Sequence, residues 1–288
     1  MVIPTYYRPD DLAQLLDSLL KQTVKPFEVI VVDDNTPTDI VKAVCEKYRT
    51  KFERINTELI YIRNPRKRSA AVARNVGVEK AKGDIALFLD SDVILYPDFI
   101  EKILDVFNLY SQAIGVEGWI INLTKGKFYY PLQVYNKIFH HFHYTKNTCK
   151  LFEYPIEPQK IISCEGLSGG VTAFKRTIFG EFQFDEKLTE YSFMEDDLFS
   201  HSIFQKYPDS LFMTPYAKCI HKTSLEGRTQ SKKLHAHHKN ICRKYVLTTL
   251  FGSRGLFIYY RQTMGSLIFD LIRKIWNIKK QQNKTPSN

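Results

Sequence analysis

The chain of 288 residues is 44% hydrophobic and 25% charged, an ordinary globular composition with room for one large domain or two smaller ones. Its five cysteines are scattered and include no C-x-x-C pair, which excludes a disulfide framework and is typical of a reduced, cytoplasmic chain. The net charge of +10 comes from residues 228–288, which hold thirteen of the 41 basic and one of the 31 acidic residues and therefore predict a phosphate-rich partner, either lipid or nucleic acid.

Apolar runs and helical patterns alternate through the first hundred residues. Four short runs rich in β-branched residues predict strands, namely VIPT, EVIVVDD, ELIYIR and DIALFLDSD. Between them, the spacing of leucine, alanine and valine predicts three helices, in DDLAQLLDSLLKQ, TDIVKAVCEKY and SAAVARNVGVEKAKG. Strands that alternate with helices in this way predict a parallel sheet with helices on both faces.

Polar side chains follow three of the four predicted strands. They are Thr5, Asp33, Asp34, Asp90, Ser91 and Asp92. Ligands of parallel α/β sheets bind outside the carboxyl ends of the strands, so we expect a single site there. Two carboxylates at the end of a buried strand are costly unless they are paired or bind a cation, which indicates that Asp90 and Asp92 receive a positive charge. For Asp33 and Asp34, a turn or helix cap is an equally good interpretation.

Several spaced segments in this order resemble the family 2 inverting glycosyltransferases. They are VIPTYYRPDDLAQLLDSLLKQ, EVIVVDDNTPTD and SAAVARNVGVEKAKGDIALFLDSD within residues 2–98, and GLSGGVTAFKRTIFGEFQFDEKLTEYSFMEDDLF at residues 166–199. The resemblance implies an α/β fold of the GT-A type, with a mostly parallel, Rossmann-like central sheet and helices on both faces. It also implies a nucleotide-sugar donor and a divalent cation, Mn²⁺ or Mg²⁺, that neutralises the diphosphate leaving group.

The family's motifs also imply roles for individual residues. Asp90-Ser91-Asp92 resembles the D-x-D motif, in which Asp92 binds the metal and Asp90 contacts the ribose or a metal-bound water. A lone histidine is usually not a ligand, but in many relatives a histidine after the last core strand, here His221, completes the metal site. The donor contacts that the resemblance implies are Pro4, Thr5, Tyr6, Asp34, Arg68, Arg74, Asp90 and Ser91. Asp34 would accept a hydrogen bond from the base, and Arg74 is equally well interpreted as a structural ion-pair partner.

Three acidic residues, Glu195, Asp196 and Asp197, precede a helical pattern. Acidic side chains favour a helix N-terminus through the helix dipole, which accounts for one or two of them. Inverting transfer also needs a carboxylate to take the proton of the acceptor hydroxyl, and the family's base is usually the Asp of an ED pair. The resemblance assigns this catalytic role to Asp196 and leaves Glu195 and Asp197 as alternatives.

By pattern, the chain divides into a catalytic domain, residues 1–228, and a basic tail, residues 229–288. The catalytic domain comprises a nucleotide-binding half, residues 1–98, and an acceptor-side half, residues 99–228. Within the second half, residues 119–160 are rich in Tyr and Phe and form either an acceptor-binding insertion or a packed excursion.

The tail is apolar but is interrupted by basic residues, and its uncharged runs are too short to span a bilayer. One helical face collects its apolar residues, Met264, Leu267, Ile268, Leu271, Ile272, Ile275 and Trp276. A basic amphipathic helix of this kind predicts binding in the plane of an anionic membrane surface, and the alternative is a helix packed on the catalytic domain. Because MVIPTYY shows no charged leader, we expect a cytoplasmic protein that is peripheral at the cytosolic membrane face.

The favoured function is a metal-dependent, inverting transfer of sugar from a nucleoside-diphosphate sugar, with a UDP-sugar favoured, to a glycan or lipid-linked saccharide. A sugar-phosphate nucleotidyltransferase uses a similar sheet and metal, but its glycine-rich, lysine-containing phosphate loop is absent after the first strand. A nucleic-acid-binding protein is a third hypothesis, based on the basic tail alone. The aromatic residues are not interleaved with an RNA-binding signature, so no nucleic-acid partner is expected.

Overall fold

The computed structural model describes residues 1–34, 36–122, 159–189, 192–223 and 232–282. Within these ranges the strands form one nine-stranded sheet. Most of the aromatic-rich segment that the sequence analysis identified lies outside the described residues.

The first part of the chain alternates strands and helices as predicted. Its strands are β1 Val2–Thr5, β2 Glu28–Asp33, β3 Glu58–Arg63 and β4 Ile85–Leu89. Its helices are α1 Pro9–Leu20, α2 Ile40–Glu53 and α3 Ala70–Lys80. The four strands pair in parallel in the order β3-β2-β1-β4, which confirms the sheet predicted from the sequence pattern.

The remaining strands extend the same sheet with mixed pairing. They are β5 Val93–Leu95, β6 Gly115–Ile120, β7 Ile162–Ser163, β8 Val171–Lys175 and β9 Leu211–His221. The helices here are α4 Phe99–Leu109, the 3₁₀ helix Arg176–Gly180, α5 Glu195–Lys206 and α6 Lys232–Gln282. The order continues β4-β8-β6-β9-β5, and both β8 and β5 run antiparallel to their neighbours. The whole sheet is therefore mixed: β1 to β4 pair in parallel, and so do β6 and β9.

Alternate residues of the central strands face two different apolar layers. Ile3, Val29 and Val31 belong to the layer that contains the leucines of α1. Val2 and Ile30 belong to the opposite layer, which contains the alanines and valines of α3. Strands covered on both faces need apolar residues at every position, which explains the uninterrupted run in β2.

Two antiparallel pairings bring distant segments to the carboxyl end of β4. Leu89 pairs with Val171, and the next residue, Asp90, donates its N–H to the carbonyl oxygen of Gly170 at 2.9 Å. Val93 pairs with His221, so the end of β9 lies beside Asp92. Residues that are 80 or more positions apart in sequence therefore meet at one edge of the sheet.

The helix α6 consists of two segments, because Gly252 interrupts it with φ 56° and ψ −132°. Glycine adopts positive φ without the steric penalty that other residues incur. In the first segment, Cys242 and Val246 pack against Leu188 and Leu198. This segment therefore packs on the preceding part of the chain, as the second interpretation of the tail predicts.

The second segment, which follows Gly252, exposes an apolar face. The exposed residues are Leu256, Phe257, Tyr260, Met264, Leu267, Ile268, Leu271 and Ile272. Five of them belong to the face predicted from the sequence, and the side chains of Ile275 and Trp276 lie outside those the structure describes. In the part of the chain that the structure describes, no helix combines the length and apolar content that a bilayer crossing requires.

Candidate active site

Asp90, Asp92 and His221 form a cluster in which one potential ligand atom of each residue lies within 4.8 Å of the others. Across the described ranges it is the one cluster of three acidic, His or Cys side chains with this geometry. Asp92 is 2% exposed, whereas Asp90 and His221 are partly open to solvent. Two carboxylates and an imidazole that are accessible from one side fit a divalent cation.

The carboxylate of Asp92 is contacted on both oxygens. His221 Nε2 lies 3.2 Å from Asp92 Oδ1, and Arg8 Nη1 lies 3.1 Å from Asp92 Oδ2. Burial acts to lower the pKa of His221, but the hydrogen bond to Asp92 and the charges of Asp90 and Asp92 outweigh it and raise the pKa. A cation that bound to His221 would have to displace this proton, so such a site would bind the cation more tightly as pH rises.

Arg74 connects the Asp90 segment with the start of α5. Its guanidinium forms an ion pair with Glu195, lies 3.4 Å from Asp90 Oδ1 and donates to the carbonyl oxygen of Gly169 at 3.4 Å. Burial acts to lower the pKa of Arg74, but the charges of Glu195, Asp90 and Asp196 raise it, so the guanidinium stays charged. Because Arg74 is 4% exposed, the geometry favours its structural interpretation over direct donor contact.

Asp196 and Glu195 have different surroundings although they are neighbours in sequence. Asp196 Oδ2 accepts a hydrogen bond of 2.7 Å from the Gly169 N–H, and its Oδ1 accepts one of 2.8 Å from the Asp197 N–H. Glu195 is buried against Arg74, whereas Asp196 is partly exposed. Asp196 is therefore the more accessible of the two carboxylates.

Gly169 and Gly170 allow the backbone to approach two charged side chains of the site. A Cβ atom at Gly169 would lie 2.8 Å from Arg74 Nη2, and one at Gly170 would lie 2.8 Å from Asp90 Oδ2. Neither distance is compatible with an unshifted neighbour. A side chain at either position would therefore displace a charged group of the site.

Asp34 lies at the end of β2, next to the end of β1. Its N–H donates to the carbonyl oxygen of Thr5 at 2.7 Å, and its Oδ1 accepts hydrogen bonds from Asn64 Nδ2 at 2.7 Å and the Ser69 N–H at 3.2 Å. Burial raises the pKa of Asp34 in spite of these hydrogen bonds and the charge of Arg68. Among the described residues, both hydrogen bonds that the Asp34 carboxylate accepts go to Oδ1.

Thr5 and Asp33 differ in how their polar atoms are satisfied. Thr5 Oγ1 is buried and has no hydrogen-bond partner among the described residues. A bound ligand would supply the missing hydrogen bond. Asp33 Oδ1 accepts from the Thr36 N–H at 2.9 Å, and its Oδ2 accepts from the Tyr61 hydroxyl at 2.9 Å. The turn interpretation therefore applies to Asp33 and not to Asp34.

The other predicted donor residues lie at the same edge. The Arg68 guanidinium lies 4.7 Å from the ring centroid of Tyr6, a cation–π contact. Pro4 is half-buried on β1, and Ser91 is buried after β4. All the predicted donor residues thus lie near the carboxyl ends of β1, β2, β3 and β4, with Arg74 enclosed in ion pairs.

The structure adds two features to the site that the sequence does not predict. The first is Arg8, which contacts Asp92. Its position shortly after β1, at the same edge as Thr5, is the feature of the sequence that points to it. The second feature is a buried link, in which Ser69 Oγ lies 2.6 Å from Ser192 Oγ. Ser192 and Met194 have positive φ angles of 21° and 68°, so a strained backbone leads into α5.

The mixed sheet and the acidic–histidine cluster at its carboxyl edge define an α/β fold of the GT-A type, as predicted. Residues 1–181 match the family described as Glycosyl transferase family 2. This match covers more than half of the chain, so the chain belongs to glycosyl transferase family 2.

Individual known proteins are similar to this chain in sequence or in fold. Glycosyltransferase GlyA of Streptococcus pneumoniae serotype 4 is 27% identical over 241 residues, which are 82% of this chain and 32% of GlyA, so the chain spans about a third of that relative. TarS 1-349 of S. aureus, solved with UDP-GlcNAc, has a TM-score of 0.56 and 16% identity over 93% of this chain and 72% of TarS. The mannosyltransferase PcManGT from Pyrobaculum calidifontis, solved with GDP-Man and Mn²⁺, has a TM-score of 0.58 and 15% identity over 93% of this chain and 74% of PcManGT.

Proposed function

We propose that this chain transfers a sugar from a nucleoside-diphosphate sugar to an acceptor hydroxyl, with a divalent cation and with inversion at the anomeric carbon. The observation that carries the proposal is the cluster of Asp90, Asp92 and His221 at the carboxyl edge of the sheet. Asp196 belongs to the same site, because it is bonded to the Gly169 N–H in the segment that packs against Asp90. Membership of glycosyl transferase family 2 supports the same activity.

The cation would be held by Asp92 and His221, with Asp90 as a direct ligand or as a partner of a metal-bound water. When bound, it supplies the positive charge that neutralises the departing diphosphate. Mg²⁺ takes oxygen ligands, so the imidazole of His221 favours Mn²⁺. The neighbour PcManGT was solved with Mn²⁺, which supports this choice.

The donor base would bind beside Asp34, whose carboxylate would accept a hydrogen bond from a ring N–H of the base; within the described residues, its hydrogen bonds go to Oδ1. Thr5 Oγ1, which is buried and unpartnered among the described residues, offers a second polar group in the same pocket. TarS and PcManGT bind UDP-GlcNAc and GDP-Man, which supports the class of donor. Uracil and guanine both have a ring N–H, and we favour a UDP-sugar.

Asp196 would act as the general base. The acceptor oxygen attacks the anomeric carbon, the bond from that carbon to the diphosphate oxygen breaks, and the hydroxyl proton passes to Asp196. Glu195 is an alternative, but its charge is already paired with Arg74. The ion pair of Glu195 instead fixes the start of α5 and so positions Asp196.

The acceptor would be a glycan or lipid-linked saccharide presented at an anionic membrane surface. The support is the exposed apolar face of α6, on which Leu267 is 68% and Leu271 is 59% exposed, together with the basic excess of residues 228–288. Basic residues near an anionic surface contribute about 1 kcal/mol each, and apolar burial adds to this. This placement implies a peripheral protein at the cytosolic face.

Product analysis tests the proposed reaction. With Mn²⁺, a UDP-sugar or GDP-sugar and an acceptor saccharide, we expect free nucleoside diphosphate and a product of inverted anomeric configuration. Asp92→Asn, which removes one ligand charge without changing side-chain size, should abolish product formation. Release of pyrophosphate from a nucleoside triphosphate and a sugar phosphate would instead support the nucleotidyltransferase alternative.

Flotation with vesicles tests the membrane proposal separately. Leu267→Gln with Leu271→Gln should weaken binding to vesicles that contain anionic lipid, and Leu109→Gln serves as a control because Leu109 is 67% exposed on α4. Wild-type binding should also fall as salt rises. Unchanged flotation of the double variant would contradict this part of the proposal.

A further inference from the structure

We propose that Arg8 sets the affinity of the metal site, so that tight binding of the cation depends on the nucleoside diphosphate. The positive charge of Arg8 lies against Asp92, where it opposes a cation that binds alone. This inference rests on the proposed metal-dependent function. It gives a role to Arg8, to which the family resemblance assigns none.

The first observation is the geometry of Asp92. Its Oδ2 lies 3.1 Å from Arg8 Nη1 and its Oδ1 lies 3.2 Å from His221 Nε2, so both oxygens are engaged before any cation binds. The side chain of Asp92 is 2% exposed and that of Arg8 is 18% exposed, so little solvent screens the pair. A cation that binds Asp92 must therefore share its carboxylate with the guanidinium or displace it.

The second observation is the balance of charge. Arg8 lies beside Asp92, whereas Arg74 is shared between Asp90 and Glu195. Arg8 therefore offsets the charge of the most buried carboxylate of the cluster and reduces the attraction that a divalent cation alone meets there. A diphosphate that binds beside the cation would offset the positive charge of Arg8 in turn. Cation and diphosphate should therefore strengthen each other's binding, and this coupling is reciprocal.

The third observation is that the backbone fixes Arg8 in this position. The carbonyl oxygen of Arg8 accepts the Leu12 N–H at 3.0 Å in the first turn of α1, and Pro9 occupies the start of the helix. The preceding residue, Tyr7, has φ 54° and donates its N–H to Thr36 Oγ1 at 3.0 Å. Arg8 therefore belongs to an ordered turn, and it is suited to act as a fixed charge.

Titration of Mn²⁺, followed by electron paramagnetic resonance of the free ion, tests the inference with and without UDP or GDP. Arg8→Gln should tighten binding of Mn²⁺ alone by about tenfold, the scale of one neighbouring charge acting on a divalent ion. The gain in Mn²⁺ affinity on adding nucleotide should shrink by a similar factor. Arg8→Lys, which retains the charge, should bind Mn²⁺ like the wild type. Arg54→Gln, at the exposed end of α2, is the matched control and should change nothing.

The outcomes separate this inference from the proposed function. If the wild type binds no Mn²⁺ even with UDP or GDP, the proposed metal role and the inference both fail. If the wild type binds Mn²⁺ but Arg8→Gln leaves the affinity unchanged or weakens it, Arg8 only orients Asp92 and the inference alone fails. Altered Mn²⁺ affinity in Arg8→Lys would also overturn it, because the proposed effect depends on charge.

Discussion

Replacing Arg74 by Met should destabilise the fold, because it leaves a buried carboxylate without its partner. The Arg74 guanidinium is paired with Glu195, whose side chain is 11% exposed, and it lies 3.4 Å from Asp90 Oδ1. Met fills a similar volume but carries no charge, so the effect reports the ion pair and not a cavity.

The expected size follows from the burial of both partners. Removal of one member of a buried ion pair destabilises a protein by about 3–5 kcal/mol. For a chain of this size, this corresponds to a decrease in melting temperature of roughly 6–20 °C. Asp90 is partly exposed and water screens its charge, so most of the effect should come from Glu195.

Urea denaturation followed by circular dichroism measures the change in unfolding free energy. The double variant Arg74→Met with Glu195→Gln should recover part of the loss, with a coupling energy of about 1 kcal/mol or more. Arg54→Met, an exposed arginine at the end of α2, is the control for loss of a positive charge. A loss below about 1 kcal/mol for Arg74→Met, or strictly additive effects in the double variant, would refute the reasoning.

Three further predictions concern the site. Asp196→Asn should lower turnover by roughly 10²-fold or more with unchanged donor affinity, as expected for loss of a general base. If Glu195→Gln causes this loss and Asp196→Asn stays active, Glu195 is the general base instead. Gly170→Ala should weaken Mn²⁺ binding in titrations, because its Cβ would lie 2.8 Å from Asp90 Oδ2. The melting temperature should change little, since Oδ2 is the movable end of a side chain. Gly180→Ala is the control, because a Cβ there would have nothing within 4 Å. Asp34→Asn should weaken UDP binding but stabilise the ligand-free protein, because burial raises the pKa of Asp34 and makes its ionised form unfavourable in the fold. This stabilisation should be present above the raised pKa and disappear as pH falls below the ordinary value, which urea denaturation across pH measures.

The parallel part of the fold was predictable because its signals are local. Each strand from β1 to β4 is a short apolar run, and each is separated from the next by a helical pattern of its own. The pairing of β8 with β4 and of β9 with β5 was not predictable, because it joins segments that are more than 80 residues apart. No local pattern specifies which distant strands become neighbours.

The site residues likewise differ in whether local sequence predicts them. Thr5, Asp34, Asp90 and Asp92 are predictable as candidates because they end strands of a predicted parallel sheet. The placement of His221 depends on the pairing of β5 with β9, so before the structure only the family resemblance points to this residue. The role of Arg74 stayed open between donor contact and ion pair, because burial is a property of the folded chain.

For the tail, the sequence predicts a helix but not its packing. Its apolar residues predicted an amphipathic helix, but periodicity does not reveal whether such a face is covered. In the structure, the segment before Gly252 contributes Cys242 and Val246 to a packed cluster, whereas the segment after it buries Ile258 and leaves the predicted apolar face exposed. Deletion from Tyr245 onward would remove Val246 from the packed cluster, so substitutions at Leu267 and Leu271 are the better test of the membrane surface.

The central claim is that Asp92 binds a cation that holds the donor diphosphate. Isothermal titration of UDP and GDP into the wild type and into Asp92→Ala, each with and without Mn²⁺, tests it most directly. We predict that Mn²⁺ strengthens nucleotide binding to the wild type and has no such effect on Asp92→Ala, while the melting curve confirms that the variant is folded. A folded Asp92→Ala variant that retains the full Mn²⁺-dependent gain would contradict the assignment of the metal site.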